Sequence, residues 1–302
     1  KGWEFNIDIA AVKTKDWSFN FGFNISQNKN EILELPENKN DELYTFGNKN
    51  YAYSVMMGDP LGSFYGYRYK GVYQNVEETY AVNTSGQRIL DIDGNPVVMK
   101  NGDQKVYPGD ARYEDVNGDG VIDENDIVYL GNSNPTLTGG LNFTLRYKKV
   151  SLVAAFHGRA GQKVINQARM DMENMRGKNN QSVAVLRRWR SEGDDTDIPR
   201  ALYDKGYNYL GSDRFVEDAS FLRLKTVTLK YQMPAKWMKA IGVNKLELYA
   251  TGYDMFVWTK YKGQDPEVNL KAANDGTVAQ VAIDSNNTPK PFKIAFGLNL
   301  NF

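Results

Sequence analysis

The sequence predicts an all-β fold, an antiparallel transmembrane β-barrel with long loops at one rim. Residues 292–302 alternate strictly between apolar and small or polar side chains, and residues 17–25 do the same. A period of two marks a strand with one apolar face and one polar face. Short and long connections between such stretches also alternate along the chain, as in barrels with short turns on one rim and long loops on the other.

The first half of the chain contains two predicted hairpins. Residues 3–10 and 17–25 alternate around a tight polar turn at 13–16. Residues 141–147 and 150–161 repeat this arrangement around a Lys-Lys turn. Alternating stretches joined by a short polar turn indicate antiparallel neighbours in a sheet.

Three more strands are predicted, at 219–233, 245–258 and 292–302. The first of them changes phase between Leu222 and Val227, which indicates a β-bulge. A short turn, helical around Trp237, connects it to the next strand. The count is therefore seven long strands.

The connections between the hairpins and strands fall into two classes. The short ones are turns of a few residues, whereas the long ones are polar and show little sustained alternation. The long connections are 31–135, 162–218 and 259–289. Within them we expect a local strand at 64–69 and short helices at 167–176 and 183–189.

An odd number of strands leaves an open edge. Bacterial barrels have an even number of strands, and an unpaired edge is not tolerated in lipid. The chain also begins without Met or a signal peptide. We therefore interpret 1–302 as the C-terminal portion of a larger barrel that needs further N-terminal strands, with periplasmic short turns and extracellular long loops.

Composition excludes several classes of function. Lys plus Arg equals Asp plus Glu at 37 each, so the net charge is zero, and a general nucleic-acid-binding surface is not expected. The chain has no Cys and a single His, which excludes disulfides, thiolate chemistry and a multi-histidine metal site. No apolar run approaches the length of a transmembrane helix.

Residues 115–126 match the spacing of a calcium-binding loop. Gly120 permits the sharp turn at the sixth position, and Ile122 is expected to pack inward. Asp in place of Glu at the twelfth position weakens the case for bidentate ligation. We predict a structural Ca²⁺ that stiffens the first long loop, with an empty Asx-rich turn as the alternative. The predicted ligands are Asp115, Asn117, Asp119, the Val121 carbonyl, Asp123 and Asp126.

No set of residues predicts catalysis, so we do not expect an enzyme. His157 lies in a predicted strand without an identifiable Ser or Asp partner for a triad. Arg146, Arg223 and Lys225 interrupt strands and are expected to face the lumen, because charge on the lipid face costs roughly 2–4 kcal/mol at the midplane. Several aromatic residues either stack on substrate or pack within girdles and loops: Tyr65, Tyr67, Tyr69, Tyr73 and Trp258.

Several motifs in consistent order resemble the C-terminal region of SusC/RagA-type TonB-dependent transporters. They are Gly-Ser-Phe-Tyr-Gly-Tyr at 62–67, Gly-Val-Tyr-Gln at 71–74, Pro-Gly-Asp at 108–110 before the metal loop, Gly-Asn-Ser-Asn-Pro at 131–135, Gly-Gly-Leu at 139–141, Ala-Ser-Phe-Leu-Arg-Leu-Lys at 219–225, and the terminal strand. Together they cover nearly the whole chain.

The resemblance implies about seven strands of a 22-stranded barrel in the outer membrane of a Gram-negative bacterium. It also implies an N-terminal plug and TonB-binding segment, both absent from this chain, and a SusD-like lipoprotein over the extracellular mouth. The implied activity is import of oligosaccharides or peptides, energised through TonB. Individual substrate-binding residues are not assigned.

Two other functions remain open. One is a secreted calcium-binding protein, strand-rich and glycan-binding or glycan-cleaving, with a dockerin-like loop. The other is a passive porin or adhesin barrel without plug or lipoprotein. In the secreted protein, the apolar side chains of 17–25 and 292–302 would face a protein core, whereas in a membrane barrel they would face lipid.

Overall fold

One seven-stranded antiparallel sheet organises the chain, and its strands follow one another in sequence order. The computed structural model describes residues 1–35, 45–240, 242–272 and 280–302. All seven predicted long strands are confirmed. They are β1 (Gly2–Lys13), β2 (Trp17–Asn28), β3 (Leu137–Tyr147), β4 (Val150–Ala160), β5 (Phe221–Gln232), β6 (Lys245–Thr259) and β7 (Lys293–Asn301).

The register of the ladders places apolar residues of all seven strands on one side of the sheet, here called the apolar face. Phe256 and Phe296 on this face are 58% and 82% exposed, so no second layer of the described residues covers it. A soluble fold rarely exposes so large an apolar surface, whereas a barrel presents it to lipid. One row of ladder partners is Ile7, Phe23, Leu141, Phe156, Leu224 and Phe256; another is Phe19, Leu145, Leu152, Leu229, Ala250 and Phe296.

Aromatic residues mark both ends of the apolar face. Trp17 packs on Tyr147 at the rim of the short turns, with ring centroids 4.3 Å apart, and Trp3 lies at the opposite rim beside Gln27. Ten residue steps along β2 separate Trp17 from Gln27, about 34 Å along the strand. At a tilt of about 40° this gives roughly 26 Å, which matches the apolar band of a transmembrane barrel.

Because consecutive strands are antiparallel, the three long connections leave the sheet at the same rim. We call them the first connection (29–136), the second connection (161–220) and the third connection (260–292). The β3–β4 turn and the links β1–β2 and β5–β6 lie at the opposite rim, and the last of these contains a helix at Ala235–Ala240. No helix among the described residues is long and apolar enough to span a membrane.

The long connections contain more regular structure than the sequence predicts. Most of their short strands pair with partners distant in sequence, so local alternation does not reveal them. The small sheets are Ser63–Gly66 with Val128–Asn132; Tyr69–Val72 with Ala111–Tyr113; Gln104–Lys105, Lys100–Asn101 and Val121–Ile122; and Val216–Asp218, Lys163–Asn166, Gln280–Asp284 and Leu270–Ala272. The helical segments are Glu77–Thr79, Glu124–Asp126, Gln167–Glu173, Val183–Arg187 and Asp213–Phe215. The local strand near 64–69 and the two short helices are confirmed.

The connections, rather than the sheet, hold the hydrophobic core. One buried cluster unites residues of the first connection, such as Tyr67 and Ile122, with Leu210 of the second. Another joins Phe64 of the first connection, Ile165 of the second and Val281 of the third. The three connections therefore pack as one unit, which we call the cap.

Candidate functional site

The side of the sheet opposite the apolar face carries the polar and charged residues and is here called the polar face. Arg146 pairs with Ser18 and Ser151 across the ladders, and Arg223 pairs with His157. Arg223 is only 2% exposed. The prediction that Arg146, Arg223 and Lys225 point away from the lipid side agrees with this register.

A bulge in β5 brings two opposite charges together. The β4–β5 ladder shifts register between Leu224 and Thr226, so Lys225 is its extra residue, as the phase change in the sequence predicts. The β5–β6 ladder shifts at the same place and leaves Asp254 and Met255 of β6 unpaired. Opposite Lys225, Asp254 adopts a positive φ of 49°. The Lys225 ammonium lies 3.3 Å from Oδ1 of Asp254. Because of the bulge, the apolar residues of β5 lie on the apolar face both before and after it. The ion pair lies on the polar face.

Six charged side chains at this bulge form what we call the inner charged cluster. Arg223 lies 2.5 Å from Asp265 and 3.3 Å from Glu267 of the third connection. Lys290 lies 2.5 Å from the same Glu267 carboxylate. These contacts hold both ends of the third connection against the wall of the sheet. The cluster comprises Arg223, Lys225, Lys290, Asp254, Asp265 and Glu267.

Glu267 is ionised over a wider pH range than an ordinary glutamate. Burial opposes its charged form, but the hydrogen bond from Lys290 and the charges of Lys290, Lys225 and Arg223 outweigh this effect and lower its pKa. The carboxylates of Asp265 and Glu267 lie in a stretch without periodicity, so sequence reasoning missed them. They are recognised only in the structure, through their contacts with Arg223 of β5.

His157 lies in the middle of the polar face. Its ring lies on the polar face with Phe221 packed edge-on at a centroid distance of 5.8 Å. In the part of the chain that the structure describes, no hydrogen bond joins it to a Ser or Asp. His157 is therefore a residue of the polar wall of the sheet.

A second buried ion pair ties the first and second connections together. Arg200 donates to both oxygens of Asp110, at 2.7 and 3.1 Å, and Asn208 donates to the same carboxylate at 3.2 Å. The preceding Gly109 has a φ of +86°, and a Cβ there would lie 2.2 Å from the Trp189 ring. The Pro-Gly-Asp motif therefore marks a structural junction of the cap.

Three of the four tyrosines that could stack on a substrate are buried packing residues instead, and the fourth, Tyr69, is half-buried. Tyr65, Tyr67 and Tyr73 are 1–2% exposed and lie in the cap. Trp258 is 51% exposed, but it lies on the apolar face opposite Leu222. Among these aromatic residues, none of the buried ones offers a free ring face to a sugar or peptide.

The predicted calcium loop is a compact turn at the side of the cap. Asp115 accepts backbone hydrogen bonds from Gly118 at 2.7 Å and Gly120 at 2.8 Å. Asn117 and Asp119 are linked side chain to side chain at 2.9 Å. Asp123 caps the short helix Glu124–Asp126 through Asn125. Each of these side chains therefore has a partner within the loop.

Two features of the loop agree with the sequence expectation. Ile122 packs inward and is fully buried in a core cluster of the cap. Val121, the predicted carbonyl ligand, precedes it in a two-residue strand.

Asp126 closes the loop from inside the protein. It is fully buried and accepts from the backbone N–H groups of Val116 at 2.7 Å and Asp123 at 3.0 Å. Burial raises its pKa to about 6, although these hydrogen bonds oppose the rise. Across residues 1–35, 45–240, 242–272 and 280–302, no three His, Asp or Glu side chains converge as a metal cluster. Calcium binding therefore stays a prediction.

No family model matches the chain, but individual proteins do. TonB-dependent receptor P26 of Formosa agariphila is 33% identical over 308 residues, and the match covers 100% of this chain and 29% of that protein. TonB-dependent receptor SusC of Bacteroides thetaiotaomicron is 27% identical over 312 residues, covering 100% of this chain and 26% of SusC. Over its whole length the chain is similar to one segment of these TonB-dependent receptors. The resemblance predicted from the motifs is thereby confirmed.

Solved structures agree with the SusC-like fold. A structure of the RagAB peptide transporter matches with a TM-score of 0.71 at 23% identity, over 100% of this chain and 29% of that one. The RagAB peptide importer in its closed-closed state matches with a TM-score of 0.68 at 24% identity, with the same coverage. The seven-stranded sheet is thus a fragment of a barrel. The chain spans less than a third of the length of these SusC-like relatives.

Proposed function

We propose that this chain forms part of the wall and mouth of an active importer in the outer membrane of a Gram-negative bacterium. The observation that carries the proposal is the sheet itself, which is apolar on one face and polar on the other, with all three long connections packed into a cap at one rim. This is the arrangement of a solute pathway through a membrane. The SusC-like homology supports the same assignment.

The proposed cargo is an oligosaccharide or a peptide, and the proposed partners are a SusD-like surface lipoprotein and TonB. One relative carries the name SusC, and the matching structures are of a peptide importer. In this proposal the cap forms the surface on which the lipoprotein docks, while a plug and TonB-binding segment belong to the rest of the protein. The chain performs no catalysis.

The secreted alternative is disfavoured by the apolar face. A secreted protein would bury the side chains of β2 and β7 in a core, whereas Trp17 is 46% exposed and Phe296 is 82% exposed. No second layer of the described residues packs against them. The geometry therefore favours lipid as the neighbour of this face.

The test is purification of the tagged full-length protein from outer membranes in detergent, with identification of co-purifying proteins by mass spectrometry. We expect a SusD-like lipoprotein in stoichiometric amount. Uptake of a labelled oligosaccharide or peptide pool is then measured with and without TonB. Uptake that persists without TonB would instead identify a passive porin, and recovery of the protein in the soluble fraction would refute the membrane assignment.

A further inference from the structure

A notch interrupts the apolar face near the rim of the cap. In the ladder row Ile25, Gly139, Gly158 and Leu222, two adjacent strands present glycine side by side. Larger apolar side chains border the gap, including Phe23 and Leu141, and Leu137 and Ala160 close it towards the rim. The resulting groove has a volume of about 260 Å³ and an almost wholly apolar lining. We call it the glycine notch.

A second cavity, lined by both apolar and polar residues, lies beside the notch, where the strands end. Its volume is about 420 Å³, and it begins at Gln27, Thr136 and Gly161. Thr136 directly precedes Leu137 of the notch and Gly161 directly follows Ala160, and Gln27 is the ladder partner of Leu137. The two spaces are therefore neighbours along the strand direction. We call the second one the rim cavity.

Hydrogen bonds brace the wall of the rim cavity, and two lysines line it. Asn30 accepts from the Leu61 backbone N–H at 2.7 Å, and Asn134 donates to the Leu61 carbonyl at 2.7 Å. These amide side chains therefore build the wall. Lys29 and Lys163 also line the cavity, and among the described residues neither has a carboxylate within 4 Å of its ammonium. Asp218 faces Lys163 across a ladder, but its carboxylate accepts from Ser220 instead.

We propose that the notch and the rim cavity together bind one anionic membrane lipid, with an acyl chain in the notch and its phosphate between Lys29 and Lys163. Binding of an acyl chain in an apolar groove is favourable, because the chain makes van der Waals contacts with wall atoms that would otherwise have no partner. Two ammonium groups at the level of the lipid headgroups attract a phosphate. Trp3, exposed at the same rim, is the residue type that lies at this interface. The inference rests on the barrel fold and not on the proposed import function.

The test uses the full-length protein in detergent and native mass spectrometry with two lipids of identical chains. Dioleoyl phosphatidylglycerol carries a net negative charge and dioleoyl phosphatidylcholine does not. We expect one retained phosphatidylglycerol, with a preference over phosphatidylcholine of about tenfold or more from two lysine contacts. Equal retention of the two lipids would overturn the proposal.

Variants separate the two halves of the site. K29Q/K163Q should reduce the preference to near one, whereas the matched control K178Q/K205Q, which removes two exposed lysines elsewhere in the cap, should leave it unchanged. A160F should fill the notch and weaken the binding of both lipids to the same extent. L137W replaces it if A160F does not assemble. An unchanged preference in K29Q/K163Q, displacement of the lipid by inorganic phosphate alone, or a second protein copy covering the notch would each contradict the assignment.

Discussion

At the scale of single residues, Arg223 links the wall of the barrel to the cap. It is almost fully buried, and its guanidinium lies between the carboxylates of Asp265 and Glu267. Removing one partner of such a group leaves the others buried without compensation, which typically costs 3–5 kcal/mol. The main role of Arg223 is therefore to hold the third connection in position against the sheet, rather than to balance charge.

We expect R223L to destabilise the full-length protein by about 3 kcal/mol or more and to release the third connection. R223K should lose less stability, because it keeps the positive charge. It should still lose some, because lysine lacks the forked set of donors that arginine has. Thermal unfolding in detergent and limited proteolysis between residues 260 and 292 measure the two effects. Equal protease resistance of R223L and the parent protein would show that the inner charged cluster does not hold the connection.

The lowered pKa of Glu267 predicts a dependence on pH. A carboxyl group whose folded pKa lies below the ordinary value of 4.5 contributes stability that is present above that value and lost as the pH falls through the folded pKa. The surrounding groups are Lys290, Lys225, Arg223, Asp265, Asp254 and His157.

We therefore expect the third connection to resist acid-stable proteases above about pH 5 and to become cleavable as the medium is acidified further. E267Q should be cleaved more readily at neutral pH and should show a smaller change on acidification. A parent protein and E267Q with the same pH profile would exclude this carboxylate as the cause.

At the scale of elements, the bulge at Lys225 keeps β5 in register with the membrane. Leu222 and Leu224 share the apolar face with Val227 and Leu229 only because one residue is inserted between them. Deleting Lys225 would turn one half of the strand over, placing Arg223 on the apolar face or Thr226 and Thr228 there instead.

We expect deletion of Lys225 to reduce assembly of the protein into the outer membrane, since either an arginine or two threonines would then face lipid. K225M keeps the bulge, loses the ion pair to Asp254, and should assemble. Surface labelling of intact cells measures assembly. Normal assembly of the deletion variant would mean that the register can shift elsewhere in the strand.

The calcium loop is a second element whose role can be tested directly. If the oxygens of Asp115, Asn117 and Asp119 bind Ca²⁺, addition of Ca²⁺ to chelator-treated protein should raise its melting temperature and protect residues 81–126 from proteolysis. D115N/D119N should remove the effect, while D93N/D103N, at acidic residues in neighbouring turns, should not. Equal melting with and without Ca²⁺ would identify an Asx-rich turn.

At the scale of the whole molecule, the sheet has two unpaired edges among the described residues, β1 and β7. Exposed backbone N–H and C=O groups are not tolerated in lipid. We expect residues 1–302 expressed alone to aggregate, and co-expression with the rest of the protein to restore a detergent-soluble barrel. Size-exclusion chromatography distinguishes the two. A monodisperse isolated chain would show that the sheet can close on itself.

The sequence predicted the sheet far better than the cap, for a physical reason. The strands β1, β2 and β7 repeat apolar and polar residues over most of their length, and the membrane enforces that period. In the cap, strands such as Gln280–Asp284 are short and pair with segments far away in sequence. Their partners depend on the tertiary fold, and so do Asp265 and Glu267 of the inner charged cluster.

The shared core of the cap has a consequence for how such proteins can diversify. Lys163–Asn166 of the second connection pairs in parallel with Gln280–Asp284 of the third, and the first connection contributes Phe64 to the same core. A single loop transplanted from a homologue would bring half of each interface without its complement. Recombination that alters specificity must therefore exchange all three loops as one inherited block, or alter them by point substitutions at the outer surface.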